Sequence, residues 1–374
     1  MRFGQSAYGL LIGMLLLEPV VSHGAPAINS TTGAVADGTS IVISGSGFGQ
    51  KSPAKPYLWA PMDGSSSPSA LGVVSSWNST GQMSYASGCG AGGGGCMAGA
   101  TSDGRSTNDW AASIVSPASA DWNAYGQRTY VYRKSKKTFD YDNSKNVKSI
   151  RFWGRSSSGG IQEPSFYFGI SMGRVGIEGI PAVYADYSMA ASTLVTAKGP
   201  VGQWYSEEMS IKSNSSSSAA DADYRLAVNG GPYLVQFPNT TWMLNQFKIK
   251  TDSGYANDGR MQIVFPVHML VEGSDGWIPS PAGSQFWADD VYVDTTWARV
   301  MIGDNAVFTS CTAREIQIPT AWTDQSISIN LNLKAFPAGK PKYLFVVDQN
   351  GDASPGRLLD ANAIRPKAPA IAVQ

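Results

Sequence analysis

The sequence predicts an all-β protein. Helical periodicity is scarce, whereas short runs of alternating apolar and polar residues recur along the chain. Two of these runs, RLAVNG and NQFKIKT, place their apolar residues on one side and their polar residues on the other. Gly, Pro, Asn and Asp separate the runs, and many strands with such turn residues between them indicate β-sandwiches.

The strands predicted in this way extend from one end of the chain to the other. They are Ser40–Ile43, Arg128–Tyr132, Ser149–Trp153, Ser165–Met172, Gln203–Ile211, Tyr224–Val228, Gln246–Lys250, Arg260–Phe265, Val291–Val293, Ser326–Leu333 and Tyr343–Val347.

Length and charge narrow the class of protein. The chain has 374 residues, enough for two domains or for one large β domain with an appendage. Lys plus Arg number 28 and Asp plus Glu number 28, so there is no net charge and no basic stripe. Composition therefore gives no electrostatic case for binding nucleic acid or an anionic membrane.

The first residues have the pattern of a signal peptide, which we place at residues 1–24. Arg2 supplies positive charge, Leu10–Leu17 supplies a short apolar core, and Ser22-His23-Gly24 supplies small residues before a cut after Gly24. The alternative is an uncleaved anchor, although the apolar run is short for a bilayer span of about 20 residues. We expect a secreted or cell-surface protein, extracellular or periplasmic, with no membrane span after cleavage.

The chain has three cysteines, and the predicted signal peptide implies an oxidising compartment in which disulfides form. Cys89 and Cys96 bracket GAGGGG, and a glycine-rich tether lets two cysteines approach without strain. We predict a Cys89–Cys96 disulfide in preference to a metal site, because no histidine or further cysteine lies nearby. Cys311 is expected to be a buried free thiol.

The two ends of the chain carry related signals. Near the start, these signals are Pro26, the Asp37-Gly38 turn and the Gly45–Gly49 run. At the far end, they are the stretches ARVMIGDNAVFTSCTAREIQIPTAWTDQSISINLNL and KYLFVVDQNGDASPG. Together they resemble the strands of an IPT/TIG immunoglobulin-like domain. The resemblance implies one discontinuous small β-sandwich, residues 25–60 with 298–365, and a flexible tail at 366–374.

The middle of the chain, residues 61–297, resembles the concanavalin-like jelly roll of lectins, glucanases and polysaccharide lyases. The stretches that carry the resemblance are YRLAVNGGPYLVQF, WMLNQFKIKTDSGYANDGRMQIVF and QFWADDVYVD. It implies a jelly-roll β-sandwich with a sugar-facing surface, and an acidic closing strand near a structural calcium.

That acidic strand is Gln285–Asp294. Strict alternation would place Asp289 on one side and Asp290 and Asp294 on the other. Their carboxylates are hard oxygen ligands, so we predict a structural Ca²⁺ as a candidate cofactor. Calcium needs about six or more oxygens, so loops such as Asn257-Asp258-Gly259 or Asp275-Gly276 would contribute. Alternatively, backbone N–H groups and Arg299 bind these carboxylates.

Catalytic residues are harder to find. Jelly-roll glucan hydrolases have a catalytic motif that resembles E-x-D-x-x-E. Its two glutamates lie on one face of a strand, with their carboxyl groups about 5–5.5 Å apart. The chain has no such spacing, and the adjacent Glu207 and Glu208 would point to opposite faces of a strand. A lyase would need a Tyr or His acid/base, and His268 is the one histidine after the signal peptide. A lone histidine is more often structural, so His268 is a weak catalytic candidate.

Aromatic residues supply the candidate ligand surface. The chain has 11 Trp and 16 Tyr, and sugar rings stack their C–H faces on such side chains. The alternative is that these rings form the sandwich core. The candidate ligand-binding residues, chosen because they lie among polar residues or on alternating strands, are Trp110, Trp122, Tyr125, Trp153, Arg155 and Tyr167.

Three functional hypotheses follow. The first is a secreted, non-catalytic protein that binds a polysaccharide or cell-surface glycan. The second is an extracellular polysaccharide-degrading enzyme, a lyase or a glycoside hydrolase. The third is a structural surface protein without a small ligand.

Overall fold

The computed structural model describes sixteen stretches of the chain, and the strands near its middle are described mainly by their backbone. The described residues are 24–63, 77–79, 83–100, 107–115, 128–139, 146–155, 161–170, 174–175, 177–178, 187–188, 199–212, 223–230, 235–236, 261–272, 283–334 and 336–359. The predicted signal peptide, apart from Gly24, the predicted tail and the predicted strand Gln246–Lys250 lie outside them.

The described residues form 23 strands and one 3-10 helix, Phe308–Ser310, so the predicted all-β class is confirmed. The strands are β1 (Ala27–Thr32), β2 (Ser40–Ser46), β3 (Leu58–Ala60), β4 (Trp77–Ser79), β5 (Ser84–Ala86), β6 (Cys96–Ala100), β7 (Thr107–Val115), β8 (Arg128–Lys137), β9 (Asn146–Arg155), β10 (Ile161–Ile170), β11 (Arg174–Val175), β12 (Ile177–Glu178), β13 (Tyr187–Ser188), β14 (Tyr205–Lys212), β15 (Asp223–Val228), β16 (Val235–Gln236), β17 (Met261–Glu272), β18 (Gln285–Asp294), β19 (Arg299–Gly303), β20 (Arg314–Trp322), β21 (Ser326–Asn330), β22 (Tyr343–Val347) and β23 (Arg357–Leu358). None of the described segments is a helix long and apolar enough to cross a bilayer.

Strands from both ends of the chain share one sheet, here called the terminal sheet. Its order is β1-β2-β21-β20-β19-β22-β23, and all neighbouring pairs are antiparallel. Pairing of β2 with β21 joins the two ends, with Ile41 opposite Ile329 and Ile43 opposite Ile327. The family resemblance and the domain boundaries drawn from the sequence stay predictions.

The described strands of the middle form two larger antiparallel sheets. The eight-stranded sheet has the order β16-β15-β14-β8-β18-β6-β5, and β3 also pairs with β18. The six-stranded sheet has the order β12-β10-β9-β17-β7-β4. Along the chain the strands alternate between them: β7, then β8, then β9 and β10, then β14 and β15, then β17, then β18. Such switching between sheets is what a two-layer sandwich requires.

One short strand shows where the chain passes from the terminal sheet to the middle. Leu58–Ala60 lie within the predicted terminal range 25–60, but they pair with β18 through Leu58–Val293 and Ala60–Val291. The chain has therefore entered the eight-stranded sheet before residue 60.

The disulfide predicted from the sequence is present. Cys89 is bonded to Cys96, with 5.5 Å between their Cα atoms. Cys311 is a buried free thiol, as predicted, and burial raises its pKa.

The centre of the terminal sheet is buried on both faces, since all of β19 and most of β20 and β22 are buried. In β19 and β22, alternate residues contact two different clusters, because side chains alternate along a strand. The terminal core contains Ile41, Ile43, Phe48, Ala298, Val300, Ile302, Trp322, Ile327, Ile329, Leu331, Phe336, Leu344, Val346 and Leu359. The junction cluster, which joins the terminal sheet to the eight-stranded sheet, contains Trp59, Tyr130, Tyr132, Tyr292, Trp297, Met301, Phe308, Cys311, Ile316, Ile318, Phe345 and Val347.

We predict that Phe345→Ala lowers the free energy of unfolding by about 3–5 kcal/mol. Phe345 is fully buried in the junction cluster, where its ring lies edge-to-face with Phe308 at 5.2 Å. Denaturant unfolding measures the change, and Val307→Ala is the control because Val307 is 56% exposed. A loss for Phe345→Ala no larger than that of the control would contradict a packed junction.

Candidate functional site

Asp294, one of the three predicted calcium ligands, is buried in an ion pair. Its carboxylate lies 2.8 Å from Lys51 Nζ, accepts the Tyr292 hydroxyl at 2.7 Å and accepts the Thr295 N–H at 2.8 Å. Burial raises the pKa of Asp294, and Lys51 opposes that effect. The three contacts give this carboxylate protein partners on both oxygens.

Asp289 and Asp290 lie at an irregular point of β18. Pairing with β8 shifts register between Asp289 and Tyr292, and Asp290 has φ +47°, a conformation that Asp tolerates better than most residues. The strict alternation predicted for Gln285–Asp294 is therefore wrong at this point, because the extra residue turns the strand. Sequence periodicity does not reveal such a bulge.

The Asp289 carboxylate accepts two backbone N–H groups. These come from Ala91, in the disulfide loop, at 2.8 Å and from Asp290 at 2.8 Å. Burial and the neighbouring charge of Asp290 raise the pKa of Asp289 to about 7. Backbone donors were the alternative partners considered from the sequence.

The predicted calcium site is not tested by these contacts. Among the described residues, no group of three or more His, Cys, Asp or Glu converges as a metal site. The loops proposed to complete it, Asn257-Asp258-Gly259 and Asp275-Gly276, lie outside the described residues, so calcium stays a prediction.

Glu207 and Glu208 have separate sets of partners. On β14, Glu207 is paired with Arg133 of β8, and Glu208 with Tyr132. The Glu207 carboxylate accepts Arg133 Nε at 2.7 Å and the Ser135 hydroxyl at 2.7 Å. The prediction that Glu207 and Glu208 point to opposite strand faces is therefore confirmed, and they do not form a hydrolase pair.

Glu208 bridges the eight-stranded sheet to the terminal sheet. Its carboxylate lies 2.9 Å from Arg314 Nη2 and 3.4 Å from Arg299 Nη2, and it accepts the Tyr130 hydroxyl at 2.9 Å. All four side chains are buried. Burial acts to raise the pKa of Glu208, but Arg314, Arg299 and the Tyr130 hydrogen bond together hold it below its usual value.

Trp297 adds a second contact between the same elements. The guanidinium groups of Arg128, Arg299 and Arg225 lie 4.5, 4.6 and 4.9 Å from its ring centre. Cation–π contacts at such distances are favourable, more so when they are shielded from water. The indole is thus held by strands of the eight-stranded sheet and of the terminal sheet.

A second buried ion pair crosses the junction beside Glu208. Lys134 Nζ of β8 lies 2.6 Å from the Glu315 carboxylate of β20 and 3.7 Å from Asp290. The Tyr132 hydroxyl donates to Glu315 at 3.2 Å. Burial raises the pKa of Glu315 to about 7; Lys134 lowers it and Asp290 raises it.

Lys134, Arg314 and Glu315 line a cleft of about 240 Å³ between the eight-stranded sheet and the terminal sheet. The cleft could not be predicted from the sequence. Its residues come from positions as far apart as 91 and 334, and no single stretch carries a recognisable motif. The nearest signal was the stretch YRLAVNGGPYLVQF, which contains Asn229-Gly230 and resembles the strand-turn-strand of a sugar-facing surface; it does not indicate a cleft against the terminal sheet.

The structure places five sequence-predicted residues on neighbouring strands of the six-stranded sheet. Trp110 lies on β7, His268 on β17, Trp153 and Arg155 on β9, and Tyr167 on β10. The two other candidates, Trp122 and Tyr125, lie outside the described residues.

Register brings several of these positions close together. His268 pairs with Ala111, the residue after Trp110, and Trp153 pairs with Ile263 of β17 and Ser165 of β10. Tyr167 pairs with Arg151, two residues before Trp153.

No protein-family model matches this chain, and no curated protein sequence matches it either. Several solved structures are similar in part. One is an endo-β-1,4-glucuronan lyase from Trichoderma reesei, 12% identical, with a TM-score of 0.36, covering 59% of this chain and 92% of that chain. Another is an endo-1,3-β-glucanase from Streptomyces sioyaensis, 13% identical, with a TM-score of 0.32, covering 72% of this chain and 96% of that chain. With TM-scores below 0.5, these likenesses assign neither a family nor an activity to this chain.

We predict that stability rises as pH falls from 8 to 6. Asp289 and Glu315 have pKa values of about 7 in the folded protein, against about 4 in an unfolded chain. The folded state therefore binds more protons between these values, and the stabilising contribution of protonation is lost as pH rises through 7. Denaturant unfolding should show a gain of about 1–2 kcal/mol on acidification.

The Asp289→Asn, Glu315→Gln double variant is the control for this pH dependence. It removes both titrations, so its stability should change less over the same interval. Stability of the unsubstituted protein that is flat or increases from pH 6 to pH 8 would contradict the assignment.

We also predict that Glu208→Gln lowers the free energy of unfolding by about 3 kcal/mol, because removing one partner leaves buried charge uncompensated. Lys334→Gln is the matched control: it breaks an ion pair with Asp63 whose side chains are both 38% exposed, and such pairs contribute about 0–1 kcal/mol. Equal losses in the two variants, measured by chemical denaturation, would show that Glu208 does not stabilise the junction.

Proposed function

We propose that this chain is an exported, non-catalytic glycan-binding protein, and that its sugar-facing surface is the six-stranded sheet. The observation that carries the proposal is that the Trp153, Arg155 and Tyr167 positions fall on one face of two neighbouring strands of that sheet, β9 and β10. Indole and phenol rings stack on sugar C–H faces, and a guanidinium group donates hydrogen bonds to hydroxyls or carboxylates.

The dimensions of the sheet suit an extended ligand. Strands β10, β9, β17 and β7 are consecutive neighbours, and three spacings of about 4.8 Å separate the first from the last. By register, the Tyr167 and Trp153 positions share one face of β10 and β9, and the Ile263 and Val115 positions continue that face across β17 and β7. Trp110 lies five residues before Val115 and therefore falls on the opposite face. A glycan that crossed the strands on the first face would meet Tyr167 and then Trp153. This geometry favours a polysaccharide chain as the ligand over a single small molecule.

The contacts of Glu207 and Glu208 support a binding role over hydrolysis. Each carboxylate is held by buried arginines, on opposite faces of β14. A retaining hydrolase needs two carboxyl groups about 5–5.5 Å apart that both reach the substrate. Neither Glu207 nor Glu208 meets that requirement.

Export is part of the proposal. The pattern of residues 1–24 is that of a signal peptide. The Cys89–Cys96 disulfide supports folding in an oxidising compartment, because disulfides rarely persist in the cytosol.

One observation favours a second candidate function, polysaccharide lyase. His268 lies on β17 of the same six-stranded sheet and pairs with Ala111 of β7, the residue after Trp110. A histidine within reach of a bound uronate is suited to abstract a proton. Catalysis by His268 would convert the proposed binding surface into an active site.

We predict that the mature protein is retained on at least one polysaccharide in a glycan array, and that Trp153→Ala reduces retention about tenfold, equivalent to about 1.4 kcal/mol. Trp287→Ala is the matched control, because Trp287 lies on β18 of the other central sheet. Retention unaffected by Trp153→Ala and by Tyr167→Ala would contradict the proposed surface. No retention on any glycan would favour a structural surface protein.

The same polysaccharides separate binding from catalysis. We expect no release of unsaturated products, which absorb in the ultraviolet, and no new reducing ends on prolonged incubation. Unsaturated products that disappear in His268→Ala would overturn the non-catalytic proposal and support the lyase.

A further inference from the structure

The junction cleft is built from segments of both parts of the molecule. Strands β8 and β14, the turn after β15 and the disulfide loop contribute to it from the middle, and β20 and the segment after β21 contribute from the terminal sheet. The residues that matter for its chemistry are Lys134, Trp204, Asn229, Arg314, Glu315 and Lys334.

The charged groups of the cleft are already paired. Lys134 pairs with Glu315, Arg314 with Glu208, and Lys334 with Asp63. An added anion would meet the carboxylates of these pairs, and an added cation would meet their ammonium and guanidinium groups. The cleft therefore suits a neutral ligand that presents both hydrogen-bond donors and acceptors.

Trp204 gives the cleft an apolar surface. It lies directly before β14 and is only partly buried, whereas its neighbour Tyr205 is 2% exposed. An indole that borders a polar cleft offers a flat face to a ligand with apolar C–H groups.

Asn229 supplies an amide to the same cleft. It has φ +53°, within the left-handed region, and its Oδ1 accepts the backbone N–H of Ser206 at 3.2 Å. This hydrogen bond orients the amide in the cleft wall. An amide carries both donors and an acceptor, so it suits a hydroxyl group as a partner.

We propose that the junction cleft binds a single neutral pyranose unit, with its C–H face on Trp204 and its hydroxyl groups on Asn229 and on the Lys134–Glu315 pair. A volume of about 240 Å³ admits one sugar ring but not an extended chain. The site is separate from the six-stranded sheet, and the proposal does not depend on glycan binding there. It makes sugar binding depend on how the two parts of the molecule are joined.

The test uses the full mature chain labelled with 5-fluorotryptophan, observed by fluorine NMR. Trp204→Phe identifies the Trp204 resonance by its disappearance. The probes are methyl glycosides of neutral hexoses and pentoses, with methyl glucuronide as the charged comparison. We expect the Trp204 resonance to shift saturably with at least one neutral glycoside, with a Kd on the order of 1 mM.

Two variants make the assignment specific. Asn229→Gly removes the amide while keeping a residue that tolerates positive φ, and it should weaken binding about fivefold, the value of about one hydrogen bond. Trp287→Ala should leave the Kd unchanged, because Trp287 does not line the cleft. Melting curves of both variants check that the fold persists.

Three outcomes would overturn the proposal. The first is a Trp204 resonance that no neutral glycoside shifts. The second is a larger shift with methyl glucuronide than with every neutral glycoside, which would indicate an anionic ligand. The third is unchanged binding in Asn229→Gly. Trp153→Ala tests the two proposed sites independently. If this variant loses retention on the glycan array but its Trp204 resonance still shifts with a neutral glycoside, sugar binds in the cleft independently of the six-stranded sheet.

Discussion

The architecture depends on one buried carboxylate. Glu208 of β14 is held between Arg314 and Arg299, which belong to the terminal sheet, and it also accepts a hydrogen bond from Tyr130. Such a group is costly to bury unless its partners are in place. The pairing therefore specifies one relative position of the two sheets, while the apolar junction cluster supplies the favourable burial that holds them together.

The contact between these two sheets determines which surfaces remain available to ligands. It brings Glu315 of β20 to Lys134 of β8, and together they form part of the wall of the cleft. It also commits one face of the eight-stranded sheet to protein contacts, since Tyr130, Tyr132 and Tyr292 are buried in the junction cluster. Glycan binding is therefore proposed at the other central sheet, and a smaller sugar site at the junction itself.

The sequence predicted several features of the candidate sites but few of their contacts. The adjacency of Glu207 and Glu208 was enough to predict that their side chains point to opposite faces, because side chains alternate along a strand. It did not reveal that Arg299 would pair with Glu208, since the two lie 91 residues apart. The alternative partners considered for Asp289 were partly right: backbone N–H groups bind it, one of them from the disulfide loop. Asp294 instead forms an ion pair with Lys51, which lies near the other end of the chain. No sequence pattern predicted this pair.

By itself, the sequence determined what local periodicity and covalent proximity control. These are the all-β class, the Cys89–Cys96 disulfide across a glycine-rich loop, and the divergence of two adjacent glutamates. Only the tertiary structure decided which buried charges meet, where the bulge at Asp290 interrupts β18, and that a cleft opens beside Trp204. Those features arise from side chains far apart in sequence, whose pairing depends on how whole sheets pack and on the cost of leaving any buried charge without a partner.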